Sequence, residues 1–167
     1  LSVHLHGGTV LPGLTSYGST LGLSDVPSES SASNGQDPSL LTRHLYLDTK
    51  RLVPRAEDGL IFGGHALRRA HASGVTTAVN VPATIGMFGG VSTHFDTGAR
   101  TVLDAHSVRT SEVALHVRLA YPIDDHEPSL ATQLALLRSL LRNPPPGSVE
   151  WHRVSRGEWP LVVKTNA

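Results

Sequence analysis

An α/β fold with parallel strands is what this 167-residue sequence predicts, on three observations. Residues 59–82 run as an apolar helical stripe, a tight glycine and a β-branched strand. Residues 112–142 run as a two-faced strand and then a leucine-striped helix. Residues 161–164 supply another apolar strand after that helix. Strands that alternate with helices need crossovers long enough to return in the same direction, which is how parallel sheets are built. Two or three such units do not by themselves separate a closed barrel from an open sheet.

The elements follow in order. Val3, Leu5, Val10 and Leu11 read as an opening strand, stopped at Pro12-Gly13, and a second short strand runs through Leu14 and Tyr17. Residues 24–39 are Ser, Asn, Gly, Pro and Asp with few large apolar groups, so they cannot offset the entropy of ordering and read as a loop. Over residues 59–73, Phe62, Ala66, Leu67 and Ala70 recur at helical steps, with Arg68 and Arg69 turned outward and Gly74 as the stop. VTTAVNV (75–81) is β-branched and ends at Pro82. Over residues 112–120, Val113, Leu115, Val117 and Leu119 alternate with Ala114, His116, Arg118 and Ala120. Pro128 suits a first helical turn, Leu130, Leu134, Leu137 and Leu141 form a stripe, and Arg138 and Arg142 complement the carboxyl end before Asn143 and Pro144 to Pro146 stop the helix. Trp159-Pro160 leads into the last strand, and there is no internal repeat.

Composition removes several function classes. Lys plus Arg and Asp plus Glu both number 14, so no net field gathers nucleic acid, which is not expected as a partner. With no cysteine there is no disulfide, thiolate nucleophile or cysteine-held zinc, and the compartment stays open. No apolar run approaches the ~20 residues of a membrane-spanning helix. The opening LSVHLHGG lacks the basic and apolar stretches of a signal peptide. Because the chain starts on a strand pattern without methionine, it is expected to be part of a longer protein.

Ten histidines raise the question of a metal. His4 and His6 have the spacing that puts two imidazoles on one strand face, yet without further ligands they read as a polar face. His65 and His71 read as helix-surface residues. His116, on the less apolar face of its strand, reads either as a hydrogen-bonded structural group or as a residue pointing into a barrel interior. Asp124, Asp125, His126 and Glu127 follow a strand, where general-base or metal work is conceivable; charge complementing the next helix is the simpler account. No Gly-x-Ser-x-Gly elbow occurs. Gly86, Gly89 and Gly90 lack a phosphate-loop pattern and read as turns.

Four stretches, VLPGLTSYGSTLGL (10–23), ALRRAHASGVTTAVNVP (66–82), GGVSTHFDTGA (89–99) and PLVVKTNA (160–167), in that order and separation, resemble the amidohydrolase superfamily. The nearest likeness is to its imidazolonepropionase-like and N-acetylglucosamine-6-phosphate deacetylase-like members, in particular a fungal branch. The resemblance implies a partial (β/α) barrel over residues 12–167, with residues 1–11 giving a strand to a small β-sandwich. It also implies metal-assisted hydrolysis of a C–N bond in an N-acyl sugar or cyclic amide, a small-molecule substrate in either case. The positions of the family's first histidine pair fall on Gly18 and Thr20, and that of a later ligand histidine on Lys164, with Asn166 two residues on. Glycine, threonine and a protonated lysine are not zinc ligands. No cofactor is therefore expected in this chain, while zinc is implied for a full-length parent. His116 and Asn166 are the pocket candidates, and no catalytic residue is assigned.

A complete barrel needs ~250 residues. The chain alone is thus expected to be inactive, with a non-catalytic binding or scaffold relative as the alternative, and its exposed sheet edges are expected to promote self-association.

Overall fold

The computed structural model describes residues 4–26, 36–37, 53–84, 87–122 and 128–165. The first sheet has strand order β1-β3-β6-β7, built from β1 (Leu14–Tyr17), β3 (Val75–Asn80), β6 (Thr93–Asp96) and β7 (Val108–Thr110). β1 and β3 are parallel, with Tyr17 opposite Val79; β6 and β7 add on antiparallel. The helix before β3, α1 (His65–Ala72), buries Leu67 against Ala78 and Phe95. Its N-cap, Gly64, has no side chain to satisfy the first amides. Asp25 does so from a distant loop: one carboxylate oxygen accepts from the Ala66 N–H at 2.7 Å and the other from the His65 N–H at 3.0 Å. These two amides, Ala66 first, hold the Asp25 carboxyl below its usual range. Gly74, at φ +91, turns the chain from α1 into β3.

The other main sheet has order β5-β8-β9, from β5 (Phe88–Val91), β8 (Leu115–Leu119) and β9 (Leu161–Thr165). β8 and β9 are parallel, and the crossover between them carries α2 (Leu130–Arg142) and α3 (Val149–Ser155). Each helix starts on a serine whose side chain accepts from a backbone amide, Ser129 from Thr132 and Ser148 from Trp151. Leu115, Val117 and Leu119 pack with Leu137, Leu140, Trp151 and Val154 in the larger core. Strand alternation then puts His116 and Arg118 on the face away from these helices. Gln133 of α2 is buried but paired, bonding to both the N–H and the C=O of Ala120. Glu112 joins Arg55 to Arg153, and Arg153 lies 4.5 Å over the Trp159 ring, so β8 is tied to α3 just before it begins.

The mixed α/β class and the two parallel pairs agree with the sequence. Several details differ. Residues 4–13 carry no strand, and Val10 and Leu11 are about three-quarters exposed, because no described strand lies beside them. The helix expected over 59–73 covers only His65–Ala72; Phe62 precedes it and packs edge-on to Phe95. Gly89 and Gly90 stand in β5 rather than in turns, with Gly90 at φ +93 beside a register shift. The stretch read as a loop over 24–39 contains β2 (Gln36–Asp37), which pairs parallel with β4 (Ala83–Thr84). In α2 the deepest positions are Gln133, Leu137 and Leu140, one step round from the expected Leu141. The described residues form three sheets and no closed barrel.

Candidate functional site

Residues from the two main sheets line a cleft of about 290 Å³. Gly18, Ser19 and Thr20 enter it just after β1, and Val81 and Pro82 just after β3. Gly89 comes from β5, His116 to Arg118 from β8, and Lys164 from the end of β9. Three of these contributions lie at or beyond the carboxyl ends of parallel strands, the edge on which α/β folds build their sites.

Sequence explains this convergence locally. The loop after β1 is fixed by Asn80, which is fully buried at the end of β3. Its amide donates to the Leu21 carbonyl oxygen, while its own side-chain oxygen accepts from the Ser19 hydroxyl at 3.3 Å. Ser19 also bonds to Ser16 at 2.8 Å, and the Gly18 amide donates to the Val79 carbonyl oxygen at 2.9 Å. Gly18 has φ +71, and a side chain added there would meet nothing within 4 Å. The loop is therefore held by its polar groups while the space above it stays open.

Among the described residues His116 is the one imidazole that lines the cleft, and it is only 8% exposed. Its Nε2 is buried with no hydrogen-bond partner, and its ring lies 6.3 Å from that of Tyr17. Burial pushes its pKa down to about 4, so the ring is neutral near pH 7. Gly89 leaves room for it: a Cβ there would sit 3.1 Å from the His116 Cβ. Arg118 and Lys164 are register partners on adjacent parallel strands, and both line the cleft.

Gly18, Thr20 and Lys164, singled out together by the family resemblance, thus border one space with His116, singled out from its strand. Asn166 and the acidic run 124–127 lie outside the described residues. His4 and His6 are exposed, and His6 sits in a turn at φ +47 rather than on a strand. His65 and His71 are exposed on α1, with His71 Nδ1 2.9 Å from the Thr97 hydroxyl. A second buried imidazole nitrogen without a partner, His94 Nε2, belongs to β6 and does not line the cleft. Ser19, Asn80 and Arg118 were not singled out in the sequence, although an asparagine inside a β-branched run is the kind of buried polar residue that signals a specific partner.

As a metal site the lining fits poorly. It offers one imidazole and an ammonium, and among the described residues no group of three or more His, Cys, Asp or Glu could hold an ion.

No model of a known protein family matches the chain. It is 38% identical over 109 residues to amidohydrolase tasK of Hapsidospora irregularis, a match covering 61% of this chain and 10% of that protein. Its fold is similar to the crystal structure of an amidohydrolase from Thermotoga maritima MSB8, with a TM-score of 0.51 and 20% identity, over 88% of this chain and 33% of that one. The chain therefore spans about a tenth of the one protein and a third of the other. In sequence over those 109 residues, and in fold over most of its length, it is similar to amidohydrolases.

Proposed function

We propose that this chain is the amino-terminal portion of an amidohydrolase-type (β/α) barrel, and that its cleft at the strand ends receives a small molecule without a divalent metal. In this reading residues 12–167 belong to the barrel and residues 1–11 to an adjoining small β-sandwich. Hydrolysis of a C–N bond, in an N-acyl sugar or a cyclic amide, belongs to the longer protein and not to this chain alone.

The observation that carries the reading is that Gly18, Thr20 and Lys164 border the same cleft as His116. These are the positions that the amidohydrolase resemblance marks as metal-binding, and none of the three side chains can do what an imidazole does there. The likeness to two amidohydrolases supports the fold half of the proposal. Lys164 favours a second reading, a barrel kept for binding only, since an ammonium repels a divalent ion from the space where such an ion would activate water.

Metal analysis joined to turnover separates the readings. The chain and its longer parent are assayed on N-acetylglucosamine-6-phosphate and a cyclic amide, with zinc content measured on the same samples. Turnover by the parent and none by the chain is expected. Stoichiometric zinc in the chain, with turnover, would overturn the proposal; a parent that binds these compounds without turning them over selects the binding-only barrel.

A further inference from the structure

We propose that the cleft binds the carboxylate of a small organic acid, held by the Lys164 ammonium and the Thr20 hydroxyl beside the His116 ring. The inference rests on the cleft being the functional site, not on the hydrolase assignment.

Charge is the first argument. Two cationic side chains, Arg118 and Lys164, line the cleft, and no carboxylate does so among the described residues. Lys164 is exposed and forms no ion pair with a described residue. The cation that the lining supplies is thus an organic ammonium, and its natural complement is an anion.

The count of available donors narrows the anion. The Gly18 amide is already committed to Val79, and the Ser19 hydroxyl to Ser16 and Asn80. That leaves Lys164 and Thr20, which line the cleft beside the buried ring of His116. Two donors suit the two oxygens of a monocarboxylate. A phosphate, with more charge and three strong acceptor oxygens, is typically gripped by several backbone amides or by arginine forks, and here the Gly18 amide and Arg118 are both already engaged. Val81, Pro82 and Val117 supply apolar wall for a short carbon skeleton. At about 290 Å³ the space stands at the lower end of the ~300–1,000 Å³ range of small-molecule sites, which points to a small acid.

The test follows the His116 ring by side-chain nitrogen NMR in the 167-residue chain. Sodium acetate and sodium propionate are titrated at constant ionic strength, with acetamide as the neutral isostere and inorganic phosphate as the competing oxyanion. Saturable shifts with the carboxylates are expected, propionate binding at least as well as acetate. Lys164→Gln should weaken binding by about tenfold and Lys164→Arg should restore most of it, as expected for a charged hydrogen bond. Because Lys164 is exposed, both variants should keep the wild-type circular dichroism spectrum. Thr20→Val gives a second, smaller loss. Carboxylate binding indifferent to Lys164, tighter binding of phosphate than of acetate, or no binding of either acid would each overturn the proposal. Acetamide binding as well as acetate would overturn it too, while leaving the cleft as an amide site and the proposed function standing.

Discussion

The rings of Tyr17 and His116 lie 6.3 Å apart, tilted by 33°, one at the end of β1 and the other near the start of β8. This contact joins the two main sheets on the side where the cleft opens. His116 itself is only 8% exposed, and this burial disfavours its charged form.

A pH dependence follows from that burial. His116 is lowered from 6.5 to about 4, by desolvation. Between those values the unfolded chain takes up a proton that the folded chain refuses, so stability is full above pH 6.5 and falls as the pH drops towards 4. The loss is on the order of 3 kcal/mol across that window. Urea unfolding at pH 7 and pH 4.5 measures it, and His116→Gln should flatten the difference.

Two glycines with nearly the same φ should differ in tolerance. Gly74 (φ +91) has open space where a Cβ would go, so Gly74→Ala costs only the backbone strain, about 1–2 kcal/mol. At Gly90 (φ +93) a Cβ would press on the Pro54 carbonyl oxygen, which is itself bonded to the Val91 amide at 2.8 Å. Gly90→Ala should therefore cost clearly more, and denaturant midpoints of the two variants compare them directly.

Removing the distant cap should loosen one helix. Asp25→Ala leaves the His65 and Ala66 amides without an acceptor, and the melting temperature should fall by a few degrees. Hydrogen exchange should show the first turn of α1 opening while α2 is unchanged. Glu112→Gln removes the charge shared by Arg55 and Arg153, which are each more than a third exposed. Its cost should be no more than about 1 kcal/mol and should shrink in high salt.

These cases also mark what was legible in the sequence. β3, β8 and α2 announce themselves through periodicity, and the parallel pairs β1-β3 and β8-β9 follow from the helices between their strands, whereas the antiparallel additions β5, β6 and β7 do not. α3 was missed because its seven residues follow three prolines and present too short a stripe, although Trp151 is among the most buried side chains. β5 was missed because two glycines conceal a strand whose neighbours come from elsewhere in the chain. The Asp25 cap spans some forty residues, a relationship that no local pattern carries. In the cleft, Gly18, Thr20 and Lys164 were reachable only through family resemblance. His116 was visible as a polar residue in an apolar strand, but whether it had a partner depended on packing.

Sheet edges supply a prediction about association. β1 and β9 are edge strands of their sheets, and Leu14, Tyr17 and Val163 are exposed on them. Sedimentation should show mass rising with concentration, and Leu14→Lys, a charge on the edge, should reduce it. A strictly monomeric chain at all concentrations would show that these edges are protected.

The most direct test concerns the three positions around the cleft. If Gly18, Thr20 and Lys164 mark the places where metal-holding barrels carry imidazoles, histidines placed at all three should meet at one point, with His116 nearby. The double variant Gly18→His/Thr20→His should bind zinc weakly. Adding Lys164→His should raise the affinity by about a hundredfold or more, at one ion per chain, as a third ligand completes a site. Calorimetric zinc titration gives both numbers; equal affinity in the double and triple variants would contradict the account.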